Sequence, residues 1–386
     1  MGFMASQMHK SGWEVHVFTC LPSYPYASVF ETYSQGQPKA KEMFEGCHVY
    51  RYSVKPAHGK KFLSRFRNVL GMALWPWQSR KRLASLNPDL VLVQSPPPSL
   101  AYTVAFLCKT LHLNLVINVS DLWQEVIQQL NLPFRPLIKK IITHLEGALF
   151  TKNTSFTVQS TEIQNYIQKA NPKAEVFLYR NGVQQVFRLV QEDRRPNKKT
   201  ESNILQVLYV GLLGMAQGLK ELCEAVDFGA SGAFLNIYGE GLEREVIQQM
   251  ARVRTDMAWN ESVPHKQVPE LMYTHDVLLV PLRAYLYGTV PSKIYEGIAV
   301  GLPIVLMGAG ESANLVQKYQ AGWVIEPHNY EQLAELLAQL SLQKQQKALQ
   351  LQPTAWPKEL DAEHNTQLLI EWLHALKKPK PQTPVT

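Results

Sequence analysis

The chain has 386 residues, too many for one ordinary core at roughly 100–200 residues per domain, so two domains fit it best. With 46% apolar and 18% charged residues, and Pro 24 and Gly 21 scattered along its length, it is neither disordered nor collagen-like and can bury sizeable cores. The formal charge of +7 is unevenly spread: between Glu45 and Asp89 there is no acid and there are nine bases, Arg51, Lys55, Lys60, Lys61, Arg65, Arg67, Arg80, Lys81 and Arg82. An anionic partner is expected to meet this 51–82 region.

Short β-branched runs alternate with helical patterns, the signature of parallel α/β sheets. Strands are expected at 14–19, 48–53, 90–94, 115–119, 156–159 and 176–178, followed by the polar linker QEDRRPNKKTES. The pattern restarts with strands at 207–210, 234–238, 277–280, 304–307 and 323–325, and helices such as 219–228 and 330–342. The expected domains are 1–190 and 191–355, with 356–386 forming a last helix that packs back on the first domain and a Pro- and Lys-rich tail that cannot build a core.

One element is missing from the pattern. In a doubly wound sheet the first strand lies in the middle and carries a Gly-rich turn. Here the chain opens on a helix, MGFMASQMHKSG, whose partner strand WEVHVFT reads as the second.

Cys20, Cys47, Cys108 and Cys223 show no C-x-x-C spacing, which favours free thiols in a reducing compartment. No apolar run approaches the ~20 residues of a bilayer span, and the N-terminus lacks the apolar core of a signal peptide. A cytoplasmic protein, soluble or peripheral on a membrane, is expected. The eleven His include no H-E-x-x-H, and neither D-x-D nor G-x-S-x-G occurs, so no protein-held metal and no serine nucleophile are expected.

The segment LQVLYVGLLGMAQGLKELCEAV places Gly211, Gly214 and Gly218 between a strand and a helix. Such a turn lets backbone N–H groups approach a phosphate at the positive helix end, although chain reversal alone would also explain it. A second turn, Gly239, Glu240 and Gly241, follows FLNIY, so both crossovers have glycines where ligands of open α/β sheets bind. Glu296 sits inside the apolar helix SKIYEGIAVG, where an isolated carboxylate is costly to bury. A ribose with two hydroxyls would satisfy it; so would solvent or a pairing with Lys293.

Together PSKIYEGIAVGLPIV, YVGLLGMAQGL, IYGEG, SDLWQE and GESANLVQKYQAGWVIEP resemble family 4 of the retaining glycosyltransferases, in the branch that includes N-acetylfucosamine transferases of O-antigen and capsule synthesis. The resemblance runs from near residue 1 to about 342. It implies the GT-B fold, two Rossmann-like α/β domains facing across a cleft, and transfer of a sugar from a nucleotide diphosphate, UDP-linked, with retention and without metal or other cofactor. Carried over by position, Glu296 binds the ribose, Gly211, Gly214 and Gln217 face the diphosphate, Gly239 and Glu240 lie near the base, and Ser292 and Lys293 match the P-S-K element. Lys293 would help neutralise the leaving pyrophosphate.

The chain also departs from the family. Where the commoner pattern has an acid ahead of Glu296 it has Gly288, and Leu212 and Gln217 stand where many members carry Arg and Lys. No paired-carboxylate role follows, and diphosphate contacts fall on backbone N–H groups and Lys293.

In the N-terminal half Asp121 follows LNLVINV at a strand end, either contacting sugar hydroxyls at the reacting centre or capping the next helix. The loops LPSYPY and SPPPS, with Ser23, Tyr24 and Ser95, are suited to an acceptor pocket or are merely turns. Phe62, Phe66, Leu70, Trp75 and Trp77 interleave with the basic window and suit an anionic membrane interface, against an ordinary core helix with a solvated basic face. Nucleic acid is the poorer reading, with no binding module present.

The expected activity is therefore addition of a sugar to a lipid-linked or polysaccharide acceptor at the inner membrane face. The rivals are a nucleotide-sugar 2-epimerase of the same fold, or an inactive membrane-bound scaffold. The absent first strand carries a further expectation, a true reading frame beginning roughly 15–20 residues upstream. Without that strand the acceptor site lacks a wall and activity is low.

Overall fold

The N-terminal half forms strands β1 (His16–Cys20), β2 (Glu42–Phe44), β3 (Cys47–Tyr52), β4 (Val91–Ser95), β5 (Leu115–Val119), β6 (Ser155–Val158) and β7 (Glu175–Leu178) in a computed structural model that describes residues 1–22, 42–54, 62–129, 133–180, 182–187, 202–347 and 357–376. These strands do not make one sheet. β1 pairs in parallel with β3, which carries β2 as an antiparallel edge, while β4 to β7 form a separate parallel sheet in chain order. Among the described residues, no strand pairs with the second edge of β1 or of β4.

β2 was not expected from the pattern, being three residues long. It arises because Glu45 and Gly46 take φ 47° and 82°, the two positive values of a tight hairpin turn. The pairing brings Glu42 beside Arg51, with Nη2 to Oε1 at 2.5 Å, so Arg51 is neutralised and does not belong to the free basic face.

Helix Phe62–Leu86 carries the centre of the basic window. Trp75 is buried and stacks on Tyr52 at 4.9 Å, a core position rather than an interfacial one. The opposite face leaves Leu70, Leu74 and Trp77 exposed, and Trp77 packs on exposed Phe106 of helix Pro98–Leu111 at 5.7 Å. Lys55, Lys60 and Lys61 lie outside the described residues.

The last helix, Ala362–Ala375, packs Leu369, Ile370 and Leu373 against Met4 and Met8 of α1 (Gly2–Lys10). Tyr179 and Thr366 hydroxyls lie 3.0 Å apart, and Phe177 stacks on Trp372. Contacts accordingly divide the chain into two units, Met1–Tyr179 with His364–Thr386, and Arg180–Glu363.

The second unit holds β8 (Leu205–Val210), β9 (Ala233–Tyr238), β10 (Met257–Asn260), β11 (Val277–Pro281), β12 (Ile304–Met307) and β13 (Gly322–Ile325). All pair in parallel in the order β10-β9-β8-β11-β12-β13. Successive residues of β8 enter opposite cores: Leu205, Val207 and Tyr209 one, Leu208 and Val210 the other. A strand apolar on both faces needs helices on both. Helices Leu219–Ala225 and Tyr330–Gln345 cover the first face through Leu222 and Leu337, and Ser292–Val300 and Glu311–Lys318 the second through Ile298 and Val316.

Candidate functional site

In the second unit the first crossover turn leaves the C-terminal end of the central strand β8. Gly211 donates its N–H to Tyr238 O at 3.0 Å, and a Cβ on Gly239 would stand 1.9 Å from Gly211 O, so the two glycine turns touch backbone to backbone. Leu213 N–H donates to Glu240 O at 2.8 Å and Glu243 N–H to Leu213 O at 3.0 Å, completing the lacing. Gly218 enters the first helix at φ 61°, with Arg283 packed so closely that a Cβ would meet its side chain at 3.2 Å.

Helix Ser292–Val300 begins beside this turn. Ser292 Oγ donates to Glu296 Oε1 at 3.0 Å and Lys293 Nζ lies 2.5 Å from Oε2, pairs four and three residues apart on one helix face. The carboxylate of Glu296 is buried, at 5% exposure, and its partners are Ser292 and Lys293, the latter among the alternatives the sequence left open. The Lys293 Cε lies 4.0 Å from the place of a Gly211 Cβ, so one side chain spans the carboxylate and the first glycine turn.

Gly211, Gly214, Gln217, Gly239, Ser292, Lys293 and Glu296 are thus assembled at or beside the C-terminal ends of β8 and β9. Gln217 folds back over Gly214, and its Oε1 is buried with no hydrogen-bond partner. Glu240 pairs with Arg244 at 3.0 Å, whose guanidinium lies 4.9 Å over the Trp259 ring; Trp259 Nε1 in turn donates to Gly239 O at 3.2 Å. Sequence reasoning missed Trp259, on the unexpected strand β10, and the buried pair of Glu311 with Arg180.

In the first unit, Ser95 ends β4 and is buried, and Ser120 N–H donates to its carbonyl at 3.0 Å. Asp121 follows β5, with Ser120 Oγ donating to Oδ2 at 3.2 Å. The first backbone N–H groups of helix Trp123–Gln129 go elsewhere: those of Trp123 and Gln124 donate to the Glu146 carboxylate at 2.7 and 3.1 Å. Glu146 is 1% exposed, and desolvation raises its pKa to about 7 against the opposing pull of those two N–H groups.

A polar ladder runs beneath this edge, from Gln94 through Asn118 to Thr157, with Asn118 donating to Gln94 at 2.5 Å and Thr157 to Asn118 at 2.8 Å. Polar residues in otherwise apolar strands were the available signal for it. Ser23 and Tyr24 lie outside the described residues. Among the described residues no group of three or more His, Cys, Asp or Glu could hold a metal, and no helix is long and apolar enough to cross a membrane.

Parallel sheets, glycine turns at the strand ends and a carboxylate–lysine pair beside them define a nucleotide-binding α/β class. Residues 3–182 match the family model described as glycosyl transferase 4-like domain, and residues 190–355 that described as glycosyl transferases group 1. The chain is 24% identical over 316 residues, 78% of its length and 76% of the relative's, to WcaI of Escherichia coli (strain K12), assigned to glycosyl transfer in colanic acid biosynthesis. It is 26% identical over 130 residues, 34% of its length and 31% of the relative's, to TuaC of Bacillus subtilis (strain 168), assigned to glycosyl transfer in teichuronic acid biosynthesis.

Among solved structures, sucrose-phosphate synthase from Thermosynechococcus elongatus is similar at TM-score 0.63 and 14% identity, covering 96% of this chain and 88% of that one. HepE of Anabaena, solved with UDP and glucose, is similar at TM-score 0.62 and 15% identity, covering 85% and 86%. The chain belongs to the GT-B glycosyltransferases of the family 4 and group 1 superfamily, enzymes that move a sugar from a nucleotide-diphosphate donor.

Proposed function

We propose that the unit Arg180–Glu363 binds a UDP-sugar and that the enzyme transfers the sugar, with retention and without a bound metal, to a lipid-linked or polysaccharide acceptor. The observation that carries this is Lys293, held between Glu296 and the Gly211 turn. Each Glu296 oxygen accepts one hydrogen bond within the helix and keeps capacity for another, which two ribose hydroxyls would fill. The Lys293 ammonium has protons to spare for the departing diphosphate, beside the backbone of the Gly211 turn. The buried Gln217 Oε1 would accept from a donor hydroxyl. HepE, bound to UDP and glucose, supports the choice of base. The finer branch, N-acetylfucosamine-type transferases, rests on the motif resemblance alone.

Asp121, at the strand edge of the first unit beside Ser95 and Ser120, is assigned to acceptor or sugar hydroxyls near the reacting centre. Exposed Leu70, Leu74, Trp77 and Phe106, with exposed Arg80 and Lys81 on the same helix as Trp77, support seating on an anionic membrane surface on the inner face.

A thermal melt with UDP tests the donor site, since ligand at about 100 times its dissociation constant adds ~2.7 kcal/mol. The second unit should gain stability with UDP, and Glu296→Ala should lose the gain. A wild-type melt that ignores UDP overturns the reading. Product formed from the donor without acceptor would favour a 2-epimerase, and UDP binding with no turnover of any donor would favour an inactive scaffold.

A further inference from the structure

β4, β5 and β6 each carry a polar side chain at the same level of their sheet. Gln94 stands opposite Asn118 and Asn118 opposite Thr157 in the strand registers, so the three share one face. Thr157 and Asn118 are 0% and 1% exposed, and their strand neighbours Ile117, Val119, Phe156 and Val158 are apolar and fully buried. Polar groups in such a place are costly unless every one of them is hydrogen bonded, and a row of Val would avoid the cost.

They are bonded, and in one direction. Thr157 Oγ1 donates to Asn118 Oδ1 at 2.8 Å, Asn118 Nδ2 to Gln94 Oε1 at 2.5 Å, Gln94 Nε2 to Ser120 Oγ at 2.9 Å, and Ser120 Oγ to Asp121 Oδ2 at 3.2 Å. Other contacts of the same donors are longer: Gln94 Nε2 to Ser95 O at 3.4 Å, Ser120 Oγ to Ser95 O at 3.5 Å and Asn118 Nδ2 to Met1 Sδ at 3.8 Å. The acid at the end sets the direction. A carboxylate only accepts, so the single Ser120 proton points to Asp121. Ser120 must then receive from the Gln94 nitrogen, which leaves Gln94 Oε1 for the nitrogen of Asn118, and Asn118 Oδ1 for the Thr157 hydroxyl. Just past Asp121 the N–H groups of Trp123 and Gln124 are held by Glu146, so the chain is tied on both sides of that carboxylate.

We propose that Gln94, Asn118 and Thr157 are positioning residues, a directed hydrogen-bond relay that fixes the Asp121 carboxylate through Ser120 for the sugar-transfer step. This rests on the assignment of Asp121 to hydroxyls near the reacting centre. Thr157, at the buried end, acts on Asp121 through three intervening side chains.

The test is a double-mutant cycle on the full chain without ligand, Thr157→Val against Asp121→Ala, read by denaturant unfolding of the first unit. Effects of independent residues on the unfolding equilibrium constant multiply, whereas those of one network do not. The double variant should depart from the product of the single effects by about threefold or more, and Thr157→Ser, which keeps the hydroxyl, should behave in the cycle as wild type. A simple product for Thr157→Val overturns the relay. Turnover separates positioning from stability. With UDP-glucose as the probe donor, assayed well below the unfolding transition, Thr157→Val should lower kcat about tenfold and leave KM for the donor within about twofold, and Thr157→Ser should restore kcat. An unchanged kcat in Thr157→Val, beside a kcat lost in Asp121→Ala, overturns the positioning role. An unchanged kcat in Asp121→Ala is the separate failure of the site assignment, and the positioning role falls with it. If wild type does not turn over UDP-glucose, the cycle alone decides.

Discussion

The two units alternate strand and helix in the same way, yet among the described residues the second forms one six-stranded sheet and the first two separate sheets. In the second unit β8 lies between β9 and β11, bonded on both edges and buried on both faces, and it ends in the Gly211 turn where Lys293 and Glu296 gather. In the first unit the corresponding middle is the 680 Å³ space between β1 and β4. The difference shows that the central strand of a doubly wound sheet has two jobs at once: it supplies backbone partners to both halves, and it delivers the turn at the ligand edge.

The largest expected effect breaks the closed sheet. Gly239→Ala puts a methyl group 1.9 Å from Gly211 O, and backbone there has no room to yield. The second unit should lose about 3 kcal/mol or more, read as an early transition in a thermal melt that UDP no longer moves. A single unchanged transition would mean that the two turns are looser than the structure shows.

An effect of similar size is confined to the first unit. The Glu146 carboxyl has a native pKa of about 7 against an ordinary 4.5, so the folded state holds its proton more tightly than the unfolded state. The stability this provides is complete below about pH 4.5 and is lost as pH rises through about 7, a change on the order of 3 kcal/mol. Glu146→Gln should flatten that dependence between pH 5 and 8 in the transition of the first unit, Met1–Tyr179, and not in that of the second. A wild-type profile without slope would refute it.

Glu296→Ala should cost about 100-fold in kcat/KM, roughly 2.7 kcal/mol of transition-state stabilisation, with the first transition unmoved. Retention of near-normal turnover would remove Glu296 from the site. The smallest expected effect on stability is that of Trp77→Ala, within about 0.5 kcal/mol because the ring is exposed. Sedimentation with anionic vesicles should nevertheless fall, and unchanged sedimentation would take this face out of the membrane reading.

Much of the fold was legible because apolar runs in parallel sheets are short and strongly marked. The run 115–119 was read at its observed bounds, and the helix starting at Leu219 at its observed start. β10 escaped because MAWN is short and half-buried, with no apolar run to mark it. The assembly of Lys293 and Glu296 was readable because both stand on one turn of helix. Glu146 was not, because its partners are backbone N–H groups over twenty residues away. The charge of Arg51 was misjudged for the same reason: counting along the chain stops at Glu45, while the hairpin folds Glu42 back across it.

By itself the sequence determined what depends on neighbours along the chain: the strand and helix alternation, the glycine turns, and the i,i+3 and i,i+4 pairs around Glu296. Tertiary structure alone decided which faces of the basic helix are core and which are exposed, which groups accept from the Trp123 and Gln124 N–H groups, and how the strands of the first unit divide into two sheets. The physical reason is that backbone hydrogen bonding in a parallel sheet joins residues far apart in the chain. The edges of β1 and β4 and the apolar space between them therefore exist only once those strands are placed.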